Sequence, residues 1–410
     1  MKKVLLIILI SLIAVFGGFA VANAIHAVVM NDYIDSFAKV EIENQLTPKL
    51  DEDGVPYFET DDDFKIMHLT DVHIGGGVLS AAKDKKAINA VAAMVTAEKP
   101  DLVIVTGDIS YAVPWSGTMN NRYAHEMFKR LMENLGVYWT VTLGNHDSEI
   151  YNFFGRESVG KIYEDSALEY CLFSRGPAEI FGECNHVINV KNSKGLITES
   201  LIMMDSNSYT EEDPLGINWI YDHIRDDQVE WYEGVVEKYS AENRSVYESL
   251  PESERPANSE DFLTVKSMLF IHIPLMEVRE AYENHLKNST EGKEDVLYID
   301  GKIGEESPYV YCGKERSKIF DVMLSLGSTQ AVFYGHDHLN NLVMEYKGIT
   351  LSYGYSIDYF AYSDIDKIGA QRGCSVITCS PDTSFEIVHE NYYQDKYPSK
   401  YEKEVVDMTK

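Results

Sequence analysis

Five short apolar segments along the chain each end in a cluster of polar residues. They lie at residues 65–70, 102–106, 137–143, 267–271 and 331–334. Their length and continuous apolar character are typical of buried strands. Helix-like stretches at about residues 79–97 and 120–135 separate the first three, which predicts a β-α-β-α-β opening. Parallel strands of this kind place their carboxyl ends at one edge of a sheet, where ligands bind, so we expect the polar clusters to meet in space.

The remainder of the chain predicts further elements around this unit. Residues 182–205 indicate hairpins, residues 227–239 a helix, and the strand-rich stretch after His338 (342–346, 349–353, 374–379, 385–389) a second sheet. We therefore assign a lead-in at 25–63 and one domain at 64–390, with acidic surface insertions near 248–261 and 280–313. The charged, Tyr-rich tail at 391–410 is predicted to be unstructured.

Composition restricts the partners. The 410 residues include 36 Lys and Arg against 66 Asp and Glu, a net charge of −30, while 45% are hydrophobic, enough for a globular core. Binding to a nucleic acid polymer depends on basic residues that neutralise phosphates, and the chain has no basic stripe, so that partner class is excluded. A small anionic ligand would need a local source of positive charge.

The first 24 residues predict export from the cytoplasm. Lys2 and Lys3 precede an uncharged run from Val4 to Ala22, and Ala22-Asn23-Ala24 has the form of a signal peptidase site. The run is also just long enough to span a bilayer, so residues 1–24 are either a cleaved signal peptide or an uncleaved anchor. Both alternatives place the domain outside the cytoplasm, and this segment is the only membrane attachment we expect.

The five cysteines are too few for a disulfide scaffold, and their odd number leaves at least one unpaired. We interpret most of them as buried thiols, with Cys171 and Cys184 as the first pair to test. Neither a Gly-x-Ser-x-Gly elbow nor a Gly-x-x-x-x-Gly-Lys-Ser/Thr loop occurs in the sequence.

Histidines and acidic residues concentrate in the five polar clusters. In Asp71-x-His73 and His336-x-His338 the two side chains lie on the same side of an extended segment. Imidazole, carboxylate and amide ligands together suit Zn, Mn or Fe better than a thiolate metal or Ca. The candidate ligands are Asp71, His73, Asp108, Asn145, His272, His336 and His338. Seven are too many for one tetrahedral ion, which predicts two ions that share a carboxylate.

These motifs, in this order, resemble the calcineurin-like metallophosphoesterase superfamily over roughly residues 64–390. The stretches 270–275 and 335–340 resemble its purple-acid-phosphatase-like branch. The resemblance implies an α/β fold (α+β by some schemes), a four-layer αββα sandwich of two mixed sheets with a dinuclear metal site at the strand carboxyl ends. It implies that Asp71, His73, Asp108 and His338 hold one metal ion, and that Asp108, Asn145, His272 and His336 hold the other. Asp108 would bridge the two ions.

The resemblance also suggests roles for three neighbouring residues. It implies that His146 acts on the substrate, as general acid or as a hydrogen-bond donor, and we expect Asp147 to orient its ring. Purple acid phosphatases use a Tyr in the second motif to ligate ferric iron and lack the His of the first motif. This chain has both His73 and Tyr111. We interpret His73 as the ligand and Tyr111 as a packed neighbour.

The function that follows is an exported phosphoesterase acting on small phosphomonoesters. Two metal ions would lower the pKa of a shared water, and the resulting bridging hydroxide would attack phosphorus while His146 assists the leaving group. A phosphodiesterase or nucleotidase with the same metals is one alternative, and a non-catalytic exported binding protein is another. The pocket wall would include Tyr209, Trp219 and residues 353–362, whose aromatic rings either stack on a base or only pack; we interpret them as packing.

Overall fold

The computed structural model describes residues 2–256, 262–291, 295–305 and 309–406. The helices are α1 (Lys2–Asp35), α2 (Ala81–Glu98), α3 (Arg122–Leu135), α4 (Arg156–Tyr163), α5 (Asp226–Ser249), α6 (Met276–Glu291) and α7 (Ile319–Leu326). The strands are β1 (Lys49–Leu50), β2 (Pro56–Glu59), β3 (Phe64–Leu69), β4 (Leu102–Thr106), β5 (Trp139–Thr142), β6 (His186–Lys191), β7 (Ile197–Met203), β8 (Ser267–Phe270), β9 (Val296–Asp300), β10 (Thr329–Tyr334), β11 (Val343–Tyr346), β12 (Ile349–Tyr353), β13 (Gly373–Cys379) and β14 (Phe385–Asn391). Short 3₁₀ turns lie at Pro114–Ser116, His146–Ser148, Glu252–Glu254 and Ile365–Ile368.

The strands form two mixed sheets. In the smaller sheet the order is β14-β13-β3-β4-β5, and β3, β4 and β5 are parallel. In the larger sheet the order is β1-β2-β6-β7-β8-β10-β12-β11-β9, and β7, β8, β10 and β12 are parallel. The predicted α/β fold of two mixed sheets is confirmed, as is the β-α-β-α-β opening.

Alternation along the buried strands explains the layers. Ile66 on β3 and Phe270 on β8 pack in a core between the two sheets. Their neighbours Met67 and Leu269 point the opposite way and join separate cores under helices. Because successive side chains of a strand face opposite sides, a strand that is apolar at every position is buried on both faces. The result is the predicted helix–sheet–sheet–helix arrangement, with α2 and α3 outside the smaller sheet and α5 and α7 outside the larger one.

The strands after His338 do not form a sheet of their own, so that prediction is wrong. β11 and β12 extend the larger sheet beside β10, whereas β13 and β14 complete the smaller sheet beside β3. The five strands with polar ends are likewise divided, with β3, β4 and β5 in one sheet and β8 and β10 in the other. Hydrophobic pattern identifies a buried strand but carries no information about the sheet that the strand joins.

The N-terminal segment forms one continuous helix with the residues that follow it. The first part of α1 is exposed and apolar, whereas Met30 and Ile34 are buried in the core under α2 and α3. Asn23, which is also buried, donates a hydrogen bond to the Gly117 carbonyl (2.7 Å) and accepts one from the Val78 amide (2.9 Å). Within the described residues, no helix is both long enough and apolar enough to cross a bilayer.

The two predicted insertions lie partly outside the described residues, which omit 257–261, 292–294 and 306–308. The described parts include the end of α5, the helix α6 and the strand β9. β9 is largely exposed and pairs with β11 at the edge of the larger sheet. The second insertion therefore adds an edge strand to the sheet.

All five cysteines are free thiols, and four of them are buried. The interpretation as buried thiols is thus confirmed for these four, and Cys171 and Cys184 are not paired with each other. The Cys184 sulfur instead accepts a hydrogen bond from the Leu143 amide (3.3 Å), directly after β5.

The C-terminal tail is packed onto the domain as far as Glu404, contrary to the prediction. Tyr392 and Tyr397 are buried in the core under α2. The Tyr397 hydroxyl donates to Glu98 (2.6 Å), and Asn89 donates to the Tyr392 hydroxyl (2.9 Å). The tyrosines supply enough apolar area to hold a charged segment against α2. Residues 407–410 lie outside the described part of the chain.

We expect Tyr397→Ala to lower the free energy of unfolding by about 3–5 kcal/mol, because it removes a buried aromatic ring and leaves a cavity. Tyr397→Phe retains the ring and loses only the hydrogen bond to Glu98, so its loss should be about 1–3 kcal/mol. Urea unfolding followed by circular dichroism measures both variants. An alanine variant as stable as the native chain would mean that the tail is not docked.

Candidate metal centre

The seven predicted ligands come together where the two sheets meet. Each follows the carboxyl end of a strand: Asp71 and His73 follow β3, Asp108 follows β4, Asn145 follows β5, His272 follows β8, and His336 and His338 follow β10. All seven side chains are buried. An isolated bridge between Thr70 and Ser356 joins the end of β3 to the segment after β12, so the two sheets are tied together at this edge.

The backbone turns sharply at four of these ligands. Asp71, His73 and Asp108 each have φ of 51°, and His336 has φ of 75°. Residues other than glycine rarely adopt the left-handed region, and such strained positions cluster at functional sites where the surrounding structure holds them. The turns after β3, β4 and β10 therefore direct ligand side chains into the centre. The expectation that Asp71 and His73, and likewise His336 and His338, lie on an extended segment is wrong, because the backbone turns at these residues.

Glycines beside the ligands allow the strand ends to approach closely. A Cβ atom on Gly144 would lie 2.1 Å from Oδ1 of Asp108, and one on Gly335 would lie 1.8 Å from Oγ1 of Thr70 and 2.5 Å from Oδ2 of Asp71. Any larger residue at either position would push the ligand-bearing loops apart. This explains why glycine precedes Asn145 and His336 in the sequence.

The ligand atoms fall into two groups that share Asp108. Asp71, His73, Asp108 and His338 form the first, and Asp108, His272 and His336 the second, with the ligand atoms of each group within 4.8 Å of one another. Oδ2 of Asp108 lies 3.4 Å from Nε2 of His73 and 3.1 Å from Nε2 of His272. Oδ1 of Asn145 lies 3.2 Å from Nε2 of His272, which adds an amide oxygen to the second group.

Several of these atoms have no hydrogen-bond partner within the described residues. They are both ring nitrogens of His73, both ring nitrogens of His336, Nδ1 of His338 and Oδ2 of Asp108. Burying a polar atom without a partner is costly, and buried polar groups in folded proteins are almost always satisfied. Two metal ions would satisfy one nitrogen of each of these imidazoles and the Asp108 oxygen, so the residues present fit a dinuclear centre.

The electrostatics of the site also favour positive charge. Burial lowers the pKa of His272, but the Asp108 carboxylate outweighs it and raises the pKa to about 9. Burial likewise lowers the pKa of His338, and Asp358 and Asp71 raise it to about 9. The pKa of Asp108 lies well below its usual range, because His272 and His146 outweigh the effect of burial. A field that retains protons on buried imidazoles is one that attracts cations.

His146 lies at the mouth of the centre, and its partner is Glu149 rather than the predicted Asp147. Nδ1 of His146 is 2.7 Å from Oε1 of Glu149, and the His146 side chain is 24% exposed. Burial lowers the pKa of His146, but Asp108 and the Glu149 hydrogen bond raise it above the ordinary value.

The Asp147 carboxylate supports the backbone and does not hold the His146 ring. Its two oxygens accept hydrogen bonds from the amides of Asp108 (2.9 Å), Ser110 (2.9 Å) and Gly144 (2.8 Å). Asp147 thus connects the loop after β4 to the loop after β5. The prediction that it orients the imidazole is wrong, because its carboxylate is turned towards these amides.

Two tyrosines surround the ligands. The ring of Tyr111 packs edge-on against His73 (5.3 Å between centroids) and His146 (5.0 Å). Burial, Asp358 and Glu149 raise the pKa of Tyr111 to about 12. The hydroxyl of Tyr209 accepts a hydrogen bond from Nδ2 of Asn145 (2.9 Å), which leaves the amide oxygen of Asn145 to face His272. That Tyr111 is not a ligand stays a prediction.

Asp358 is a buried carboxylate at the centre that sequence reasoning missed. Its Oδ2 lies 3.3 Å from Nδ1 of His338 and 3.7 Å from Nδ1 of His73, and the two imidazoles hold the pKa of Asp358 well below its usual range despite burial. A carboxylate behind a ligating imidazole fixes its orientation. The sequence does contain one indication of this role, because Asp358, like the seven ligands, follows the carboxyl end of a strand, here β12. The many tyrosines of residues 353–362 instead predict an aromatic wall there.

Comparisons with known proteins find similar sequences and a similar solved structure. A family model described as calcineurin-like phosphoesterase matches residues 64–340, about two thirds of the chain. Probable inactive purple acid phosphatase 14 of Arabidopsis thaliana is 26% identical over 330 residues, which cover 75% of this chain and 74% of that protein. Phosphatase DCR2 of Saccharomyces cerevisiae is 26% identical over 306 residues, 69% of this chain and 45% of that protein. The crystal structure of a dimetal phosphatase from Danio rerio aligns with a TM-score of 0.47 and 12% identity, covering 82% of this chain and 98% of that one.

We expect Asp358→Asn to weaken metal binding by about 10- to 100-fold, because the carboxylate that faces His73 and His338 is lost. Calorimetric titration of the metal-free protein with Zn²⁺ or Mn²⁺ measures the affinity. Asp364→Asn is the matched control, since Asp364 is exposed in the same segment and should bind metal like the native chain. Unchanged affinity in Asp358→Asn would rule out the orienting role.

Proposed function

We propose that this chain, which belongs to the calcineurin-like phosphoesterase family, is a metal-dependent phosphatase that hydrolyses small phosphomonoesters. The observation that carries the proposal is the pair of buried ligand groups that share Asp108 and contain polar atoms with no hydrogen-bond partner among the described residues. The resemblance stated from the motifs is confirmed at the level of the family, and relatives named as purple acid phosphatases agree with the branch.

The residues of the two groups define how the centre would work. Asp71, His73, Asp108 and His338 would hold one ion, and Asp108, Asn145, His272 and His336 the other. When bound, the two ions supply charge for the phosphate oxygens and activate a water for attack on phosphorus. Their identity among Mn, Fe and Zn is left open by this mixed ligand set. Local positive charge of this kind is what a chain of net charge −30 needs to attract a phosphate ester.

His146 is proposed to protonate the leaving oxygen. Its Nδ1 is engaged by Glu149, so Nε2 is the nitrogen that would carry the proton to the substrate. The raised pKa of His146 favours the protonated ring that a general acid requires. Partial exposure at the mouth allows a leaving group to reach it and then depart into solvent.

A non-catalytic phosphate-binding protein is the second candidate, because three similar Arabidopsis thaliana proteins are named probable inactive purple acid phosphatases. We favour the enzyme, since this chain has all seven candidate ligands together with His146 and Glu149. A phosphodiesterase would use the same metals. Turnover of p-nitrophenyl phosphate and of bis(p-nitrophenyl) phosphate, measured with the metal content, distinguishes the three functions.

Export of the domain is also part of the proposal. It is supported by Lys2, Lys3 and the uncharged run that follows them. Removal of residues 1–24 would take away Asn23 and its hydrogen bonds to Gly117 and Val78. The proposed partner is a small phosphorylated substrate and not a nucleic acid polymer.

We expect Asp108→Ala to lose both metal ions and all phosphatase turnover, because its carboxylate belongs to both ligand groups. Elemental analysis after gel filtration gives the ions per chain, and p-nitrophenyl phosphate gives the rate. Asp364→Ala, which removes an exposed carboxylate, should keep both ions and full turnover. Two stoichiometric ions in Asp108→Ala would contradict the shared role.

We expect His146→Ala and Glu149→Gln to keep both ions and to lose turnover, by about 10²- to 10⁴-fold for His146→Ala and by less for Glu149→Gln. Loss of a general acid affects poor leaving groups most. The decrease in kcat should therefore be larger for an alkyl phosphate than for p-nitrophenyl phosphate, whose leaving group needs little protonation. Equal decreases for the two esters would argue that His146 positions the phosphate instead, and metal loss would assign it to the centre itself.

A further inference from the structure

An aromatic cleft opens beside the second ligand group. It has a volume of about 500 Å³, and the side chains that matter for its chemistry are Trp219, Tyr221, Tyr309, Tyr311 and Arg279. The ring of Tyr221 lies edge-on to that of His336, with centroids 4.3 Å apart. A group that leaves a phosphate held at His336 therefore has this cleft directly beside it.

The cleft and the ligand loops are physically joined. Tyr221 stacks on Tyr209 (5.4 Å, 27°), whose hydroxyl contacts the amide of Asn145. On the opposite side, the Tyr311 amide donates to Asp337 (3.2 Å), the residue between His336 and His338. The same contacts that fix the ligands thus fix two walls of the cleft.

A hydrogen-bonded loop holds Trp219 in an exposed position. Trp219 is 63% exposed, so its ring is accessible to a ligand. The buried Asp213 carboxylate accepts hydrogen bonds from the amides of Ile217 (3.0 Å), Asn218 (2.8 Å) and Ile220 (3.2 Å), which closes the loop that carries Trp219. Trp219 itself has φ of 57°, a strained conformation that this loop maintains.

The opposite face of the cleft holds a fixed cation. The Arg279 guanidinium lies 4.5 Å from the ring centroid of Tyr309, and its Nε and Nη2 donate to the Val310 carbonyl at 3.1 and 2.7 Å. Tyr309 in turn packs edge-on against Tyr311 (4.8 Å). Trp219 meets Tyr311 edge to face at 6.0 Å and 86°, and most of Trp219 is still exposed.

This chemistry selects a planar aromatic group. Indole and phenol faces attract another ring, and a guanidinium attracts the electron-rich face of a ring, whereas an alkyl chain gains little from either beyond contact area. We infer that the cleft binds the leaving group of the substrate and that this group is a planar aromatic ring. The inference rests on the proposed phosphatase function and names the substrate class for it.

The first test compares kcat/KM for phenyl phosphate, adenosine monophosphate and ethyl phosphate in the native chain and in Trp219→Ala. Stacking of one ring is worth about 1–3 kcal/mol, so Trp219→Ala should reduce kcat/KM for an aromatic ester by about 5- to 150-fold, mainly through KM. Ethyl phosphate should be unaffected. Trp115→Ala is the matched control, because Trp115 is also exposed (60%) but lies outside the cleft.

The three substrates distinguish which kind of aromatic ring the cleft binds. A loss for both aromatic esters assigns the cleft to any planar ring, and a loss confined to adenosine monophosphate assigns it to a nucleobase. A loss confined to phenyl phosphate assigns it to a simple aryl group. An equal loss for ethyl phosphate, or no loss for either aromatic ester, would overturn the inference.

A binding measurement separates failure of the inference from failure of the proposed function. Phenylphosphonate and methylphosphonate cannot be hydrolysed at their carbon–phosphorus bond, and calorimetry of the metal-loaded protein compares them without turnover. Tighter binding of phenylphosphonate, lost in Trp219→Ala and retained in Trp115→Ala, supports the cleft even if no ester is hydrolysed. Equal binding of the two phosphonates would overturn the inference while leaving phosphatase turnover intact.

Discussion

The structure depends on the burial of Asp108 where two sheets meet. Its carboxylate is shielded from water and faces His73 and His272 at 3.4 and 3.1 Å, so its charge has to be compensated within the protein. An uncompensated buried charge would cost several kcal/mol, and positive charge drawn to this point removes that cost. The buried imidazoles of His73 and His336, which have no hydrogen-bond partner within the described part of the chain, face the same requirement. Cation binding and the fit of the two sheets are therefore linked through one side chain.

Polar contacts around Asp108 hold the loops at the strand ends in place. The Asp147 carboxylate accepts hydrogen bonds from backbone amides of the loops after β4 and β5, which fixes the distance between these two loops. Arg156 donates to the carbonyls of Leu143 (2.8 Å) and Gly144 (2.7 Å) and to the buried Asp205 (2.8 Å), which ties the same loop to the end of the larger sheet. Because these polar groups are paired with one another, the backbone can turn through strained conformations at Asp71 and Asp108 without relaxing.

The high acidity of the chain and its proposed anionic substrate are compatible for a local reason. The net charge of −30 acts against a polyanion that must lie along the surface, whereas a phosphate ester meets the field of the centre first. The aromatic cleft then adds ring stacking, which does not depend on the net charge of the chain. Tyr209 and Tyr221 connect the two regions, since they touch Asn145 and His336 respectively.

The sequence by itself determined the buried strands, the αββα layers through the family resemblance, and the identity of all seven residues that meet at the centre. These follow from local requirements: a strand buried on both faces is apolar throughout, and close approach demands glycine before Asn145 and His336. Only the tertiary structure decided which sheet each strand joins, that Glu149 rather than Asp147 meets His146, and that Asp358 lies behind His73 and His338. It also decided the docking of Tyr397 and the exposure of Trp219. These features depend on the direction of a side chain and on partners distant in sequence, which no local pattern records.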